Sequence, residues 1–152
     1  MFRALILTLL LAAASHAEGQ PNFSGTWKLN VAKSEYGSLP GPDTRSDVIE
    51  HSESGVKDKV SASNQQGKQD YTLTFKTDGS ETAQKIMDRD VKVSAKWEGQ
   101  ALAVTTKIAI NDMQIDIKAN WTLSPDGATL TQAVHLTSSM GEADQKMVYE
   151  KQ

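Results

Sequence analysis

The sequence contains no cysteine, so disulfides, thiolate metal ligands and a lipid-modified cysteine anchor are all excluded. After the first 17 residues, no apolar run approaches the roughly 20 residues that a membrane-spanning helix requires. Positive charge is also scarce, because the net charge is −3 and no basic run is present. Nucleic acids are therefore poor candidate partners, since binding them requires clustered cations.

The first 17 residues have the pattern of a removable signal peptide. Arg3 provides a positive start, residues 4–14 form an apolar run, and Ser15-His16-Ala17 matches a small-x-small cleavage site. We therefore expect residues 1–17 to be a signal peptide and residues 18–152 to form one domain. The expected location is the periplasm or the extracellular space, as a soluble protein and not a lipoprotein.

From residue 69 onward, apolar residues recur at every second position, which is the period of a β-strand with one buried face. The clearest row has polar residues at every intervening position: Met113, Ile115, Ile117, Ala119, Trp121 and Leu123. Two further rows behave in the same way: Tyr71, Leu73 and Phe75, and then Val91, Val93, Ala95 and Trp97. This alternation predicts an all-β protein.

Turn residues separate these rows at short intervals, as in Asp78-Gly79 and Glu98-Gly99. The spacing predicts about ten strands, near 25–30, 44–52, 56–63, 69–77, 81–88, 91–97, 101–110, 113–123, 128–137 and 144–151. Hairpins between neighbours favour an up-and-down antiparallel β-barrel of about 8–10 strands, closed or nearly closed, because closure removes unpaired edges. Residues 31–42 are expected to form an ordered loop, which is either a connection or a lid over the barrel mouth.

Both ends of the chain resemble the calycin superfamily, the lipocalins and fatty-acid-binding proteins. Residues 23–29 (FSGTWKL) carry the Gly-x-Trp of the first calycin strand, and residues 147–151 (MVYEK) resemble the closing strand of the fatty-acid-binding branch. The similarity extends to bacterial exported lipocalin-like domains. It implies a lipocalin-like barrel in which Gly25 permits a close backbone approach and Trp27 plugs the closed end.

The chain also departs from the fatty-acid-binding branch. That branch grips a ligand carboxylate with Arg-x-Tyr on its last strand, whereas here Tyr149 is retained and Met147 replaces the arginine. It also has two short helices after its first strand, where this chain has the proline-containing loop. The resemblance therefore does not imply a carboxylate clamp.

Few residues have the chemistry of a catalytic or metal site. His51 and His135 are the histidines beyond the leader, and regular alternation places His135 on an outer face. Asp88-Arg89-Asp90 is better explained as a solvated turn than as a calcium loop. Arg45 and Arg89 are the arginines beyond the leader, and either could meet an anionic head group. We predict no catalytic residues, no bound metal and no cofactor.

The inward rows define the expected ligand contacts: Tyr71, Leu73, Phe75, Val93, Trp97, Ile115, Ile117, Trp121, Met147 and Tyr149. From these residues alone, a packed core and a ligand cavity are equally consistent, and the calycin resemblance favours a cavity. The leading hypothesis is an exported, non-enzymatic binding protein for a small hydrophobic molecule. The alternatives are an envelope protein–protein interaction module with a fully packed barrel, and an enzyme that uses the barrel as its pocket.

Overall fold

The structure is a computed structural model that describes residues 19–152. The predicted signal peptide, residues 1–17, lies outside the described residues. Within 19–152 the chain forms ten strands: β1 (Gly25–Leu29), β2 (Thr44–Ser52), β3 (Gly55–Asn64), β4 (Gly67–Phe75), β5 (Thr82–Ile86), β6 (Arg89–Glu98), β7 (Ala101–Ile110), β8 (Met113–Leu123), β9 (Thr129–Ser138) and β10 (Gly141–Lys151). The predicted all-β fold is confirmed.

All ten strands of the described chain belong to one antiparallel sheet in the order β4-β3-β2-β1-β10-β9-β8-β7-β6-β5. Sequence neighbours pair with one another except β4 and β5, which are the two ends of this order. The first strand pairs with the last, so that Trp27 is opposite Lys151 and Leu29 is opposite Tyr149. This up-and-down order, joined through β1 and β10, curls the sheet into the predicted barrel.

The barrel is nearly closed, because β4 and β5 are joined by a side chain where the other neighbours share a backbone ladder. Gln84 Oε1 accepts a hydrogen bond from the Thr74 amide at 3.0 Å, and Gln84 Nε2 donates one to the Thr74 carbonyl at 2.6 Å. The Gln84 amide thus imitates one step of the ladder and satisfies backbone groups that an open edge would leave free.

The loop between β1 and β2 is ordered, as predicted. It begins with a single 3-10 turn, Val31–Lys33, whose N-terminus is capped by the Asn30 side chain. Glu35 then pairs with Lys146 of β10 through two backbone hydrogen bonds of 2.8 and 2.7 Å. These bonds hold the loop against the barrel at the end where β1 and β9 finish, which we call the open end.

The core fills the opposite end of the barrel, which we call the closed end. The strand β1 begins there, and β10 finishes there. The largest side chains of the described chain with almost no exposure are Trp27, Tyr149, Phe23, Phe75, Leu102 and Leu130. Trp27 fills the middle of this end, and its Nε1 donates a 2.9 Å hydrogen bond to the Phe23 carbonyl. No helix within residues 19–152 is long and apolar enough to cross a membrane.

Candidate functional site: a cavity with a buried polar cluster

A cavity of about 310 Å³ lies inside the barrel, between the closed end and the open end. Its lining is more apolar than polar, and the polar side chains come from β2, β3, β4, β6, β7, β9 and β10. Trp121 contributes to the floor and packs edge-to-face against Phe23 and Phe75, with ring centroids 5.7 and 5.9 Å apart. The lining comprises Arg45, Asp58, Val60, Gln69, Tyr71, Leu73, Ile86, Met87, Arg89, Val91, Val104, Thr106, Ile108, Ile117, Ala119, Trp121, Gln132, Val134, Leu136, Gln145 and Met147.

A larger groove, about 620 Å³, lies on the outer surface beside the seam between β4 and β5. Its walls include turn residues and charged side chains such as Glu50, Lys57 and Lys76, and it is open to solvent. A ligand there would stay largely hydrated, whereas a ligand in the interior cavity is surrounded by protein. The interior cavity is therefore the candidate binding site.

Four polar residues interact in the barrel interior, Arg45, Asp47, Asp58 and Tyr149, and a fifth, Gln132, lines the same cavity. We call these five residues the buried polar cluster. The Arg45 guanidinium donates to both carboxylate oxygens of Asp47, with Nε–Oδ1 2.8 Å and Nη2–Oδ2 2.9 Å. Asp47 is fully buried, and the guanidinium carbon also lies 5.7 Å from the centre of the Tyr149 ring. This bidentate geometry is the strongest form of arginine–carboxylate pairing.

Asp58 brings a second carboxyl group next to this ion pair. Asp58 is only 1% exposed. Burial and the negative charge of Asp47 raise the pKa of Asp58 to about 8, although the positive charge of Arg45 acts to lower it. The Asp58 carboxyl is therefore mainly protonated at neutral pH, which avoids a second buried negative charge. The cluster then has no net charge, because Arg45 and Asp47 cancel.

Two atoms of the buried polar cluster have no hydrogen-bond partner among residues 19–152: Asp58 Oδ1 and Gln132 Nε2. Both residues line the cavity, and Gln132 is 4% exposed. Buried polar atoms without partners are uncommon in folded proteins, because each has lost its hydrogen bonds to water without replacement. Their position beside a cavity indicates where a ligand or a bound water would make polar contacts.

The loop between β1 and β2 forms one wall of a second cavity, about 480 Å³, at the open end. This space shares five lining residues with the interior cavity: Arg45, Gln69, Tyr71, Gln145 and Met147. The ring of Tyr36 packs against Gly41, where an added Cβ would lie 2.4 Å from the ring. The loop thus lies across the route from solvent to the cavity, and a role as a lid stays a prediction.

At the closed end, His51 belongs to an aromatic stack. Its ring lies 5.8 Å from Phe23 and 5.9 Å from Trp97, and its Nδ1 accepts a 3.1 Å hydrogen bond from the Phe23 amide. Burial lowers the pKa of His51, which keeps the imidazole neutral and able to accept that bond. The histidine therefore seals the barrel base beside Trp27.

The predicted ligand contacts and the cavity lining coincide in part. Tyr71, Leu73, Ile117, Trp121 and Met147 line the cavity. The other five predicted contacts lie elsewhere: Phe75 and Trp97 in the packing of the closed end, Val93 in the buried core, Ile115 further toward the open end, and Tyr149 beneath Arg45 in the buried polar cluster. Alternation identified the inward face correctly but gave no depth along the barrel axis, so it could not separate cavity from core.

Gly25 and Trp27 both lie at the closed end, and their role in barrel closure stays a prediction. Trp27 has no exposed surface. Gly25 has a φ of 146°, and an added Cβ at this position would lie 3.0 Å from Lys151 Cε.

His135 lies on the outer face, where its Nδ1 is 2.6 Å from Asp144 Oδ1. Arg89 is exposed at the cavity rim. Within the described part of the chain, no group of three or more histidine, aspartate or glutamate side chains could hold a metal ion.

The sequence analysis missed Asp47, Asp58 and Gln132. A signal was present, because each is in phase with inward apolar residues of its own strand: Asp47 with Ile49, Asp58 with Val56 and Val60, and Gln132 with Leu130 and Val134. A polar residue within such a row indicates a buried polar group that needs a partner. Arg45 was considered only as an anion contact, whereas its guanidinium is already paired with Asp47.

No protein-family model and no curated protein sequence matches this chain. Several solved structures match it. Human cRBP IV is 17% identical with a TM-score of 0.56, and the match covers 87% of this chain and 99% of that one. Echinococcus granulosus fatty-acid-binding protein 1 is 14% identical with a TM-score of 0.54, and the match covers 85% of this chain and 96% of that one. Zebrafish ileal bile acid-binding protein complexed with cholic acid is 17% identical with a TM-score of 0.56, and the match covers 86% and 98% of the two chains. These likenesses show the fold alone, an antiparallel β-barrel similar to the barrels of these three proteins.

Proposed function

We propose that this protein is an exported, non-enzymatic carrier or sensor that binds a small hydrophobic molecule inside its barrel. The observation that carries the proposal is the interior cavity of about 310 Å³ with its mainly apolar lining. Similarity of fold to proteins described as binding fatty acids and bile acids supports it. The export component rests on the signal-peptide pattern of residues 1–17.

The cavity volume limits the size of the ligand. At about 30 Å³ for each heavy atom, the volume share of a molecule in liquid water, 310 Å³ accommodates roughly ten heavy atoms. A ligand of that size that buries about 200 Å² of apolar surface gains about 5 kcal/mol from the hydrophobic effect. After the cost of lost translational freedom, we expect dissociation constants in the micromolar to millimolar range.

The placement of the histidines supports binding without catalysis. His51 is engaged with Phe23 at the closed end, and His135 pairs with Asp144 on the outer surface. Neither imidazole lines the interior cavity, so a bound molecule would not meet a histidine base there. Of the titratable groups that do line the cavity, Arg45 and Asp58 are held within the buried polar cluster, and Arg89 is exposed at the rim.

The proposal is tested by blocking the cavity. Ala119 of β8 lines it, whereas the next residue, Asn120, is exposed on the outer face of the same strand. We expect the wild-type protein and Asn120→Phe to bind a hydrophobic fluorescent probe at one saturable site, and Ala119→Phe to lose that binding because the added ring fills the space. Circular dichroism would verify that both variants fold.

Two results would contradict the proposal. Equal probe binding by both variants would place the probe on the outer surface. Absence of probe binding, together with absence of a small molecule in extracts of protein purified from its host, would favour an interaction module instead. Extracts are analysed by mass spectrometry after denaturation.

A further inference from the structure

The positive charge of Arg45 inside the cavity is already paired with a carboxylate of the protein, that of Asp47. Both carboxylate oxygens of Asp47 receive hydrogen bonds from Arg45, and Asp47 is fully buried. A ligand carboxylate would have to compete with a carboxylate that is covalently part of the chain and already in bidentate geometry. Arg45 therefore does not present a free cation to the cavity.

The second carboxyl makes the interior still less suited to an anion. Asp58 lines the cavity next to Asp47, so an entering carboxylate would join two acidic groups served by one guanidinium. Burying that extra charge without a counterion is unfavourable. The remaining charged residue in the lining, Arg89, is exposed at the rim, where water and salt screen its charge.

The atoms that lack partners have complementary chemistry. Asp58 donates its carboxyl proton in a hydrogen bond to Asp47, so Asp58 Oδ1 is an acceptor, whereas Gln132 Nε2 is a donor. Neither of these two atoms has a partner within the described chain. A hydroxyl or a primary amide can donate one hydrogen bond and accept another, whereas a carboxylate can only accept and an ammonium can only donate. The buried polar cluster thus matches an uncharged group with both capacities.

We infer that the cavity selects amphiphiles of roughly ten heavy atoms whose polar head is uncharged and both donates and accepts hydrogen bonds, with that head toward Asp58 and Gln132. This inference rests on the proposed function, because it names the ligand class for the same cavity. It places the apolar tail among the aliphatic residues nearer the open end, such as Ile108, Ile117 and Leu136.

Three probes with the same alkyl chain test the inference: octan-1-ol, octanoate and octylammonium. Displacement of the fluorescent probe is measured with the full mature protein at neutral pH. We expect octan-1-ol to bind at least about tenfold more tightly than either ion. The inference would be overturned if octanoate bound as tightly as octan-1-ol, or if octylammonium bound most tightly of the three. Either result would leave the proposed function in place. Failure of all three, and of the fluorescent probe, would contradict the proposed function itself.

A variant pair assigns the site of the head group. Gln132→Leu removes the unpartnered amide donor with little change in volume, so we expect the preference for octan-1-ol over octylammonium, which cannot accept a hydrogen bond, to fall by about tenfold, the usual cost of one lost hydrogen bond. Leu136→Val, on the same strand and in the same lining, shortens an apolar contact and should weaken all three probes alike. An unchanged preference in Gln132→Leu would overturn the assignment. Gln132→Met serves the same comparison if the leucine variant does not fold.

Discussion

Substituting Arg45 by methionine removes the only counterion that Asp47 has in the described structure. The pair is bidentate at 2.8 and 2.9 Å, and the side chains are 18% and 0% exposed. Removing one partner of a buried ion pair costs about 3–5 kcal/mol, because the remaining charge stays buried without compensation. Since the Arg45 side chain has some exposure, we expect about 3 kcal/mol, measured as the free energy of unfolding in urea. With a slope of about 1–3 kcal/mol per molar urea, the midpoint falls by about 1–3 M.

Two controls isolate this effect. The double variant Arg45→Met with Asp47→Leu replaces both charges by apolar side chains, and we expect it to recover most of the lost stability. Lys85→Met removes a cation from an equally short pair with Asp90, 2.8 Å, whose side chains are 71% and 75% exposed, and it should cost less than about 1 kcal/mol. A similar cost for Arg45→Met and Lys85→Met would refute the reasoning that burial makes the interior pair important.

Three further predictions concern the ends of the barrel. Trp27→Ala should lower the free energy of unfolding by about 3–5 kcal/mol in urea titrations, because the indole is fully buried at the closed end; a loss below about 1 kcal/mol would show that Trp27 does not seal the barrel. Burial lowers the pKa of His51 from 6.5, so the contribution of its neutral ring to the free energy of unfolding is complete above pH 6.5 and declines as the pH falls below that value. We expect His51→Gln to reduce this loss of stability at low pH. An unchanged dependence of stability on pH in this variant would contradict the prediction. Gly37 (φ 64°) and Gly99 (φ 62°) have the same left-handed backbone, but an added Cβ at Gly37 would lie 2.5 Å from a β10 carbonyl while Gly99 has open space. Gly37→Ala should therefore destabilise the protein more than the roughly 1 kcal/mol expected for Gly99→Ala, and equal urea midpoints would mean that the loop does not contact β10.

The strands were predictable because their two determinants are local. Period-2 alternation specifies a half-buried strand, and turn residues mark its ends, as in the eighth predicted strand, which coincides with Met113–Leu123. Barrel closure was also predictable, because closure removes unpaired strand edges and because both ends of the chain resemble calycin strands. The structure pairs these two ends, β1 with β10. These features depend on residues within a few positions of each other or on one pair of strands.

The position of the cavity was not predictable, because it depends on how side chains from different strands fill each level of the barrel. Phe75 and Leu73 share the inward face of β4, yet Phe75 is part of the closed-end core and Leu73 lines the cavity. The buried polar cluster was inaccessible for the same reason. Arg45, Asp58 and Gln132 belong to three strands, and only the folded barrel brings them to one cavity.

The most direct test of the account is to locate a ligand inside the barrel by anomalous X-ray scattering. Crystals would be grown with octan-1-ol brominated at its terminal carbon. We predict a single strong bromine peak inside the cavity among Ile108, Ile117 and Leu136, with the hydroxyl density next to Asp58 and Gln132. A bromine peak found only on the outer surface, or a barrel interior filled by its own side chains, would contradict the central claim that this protein binds its ligand within the barrel.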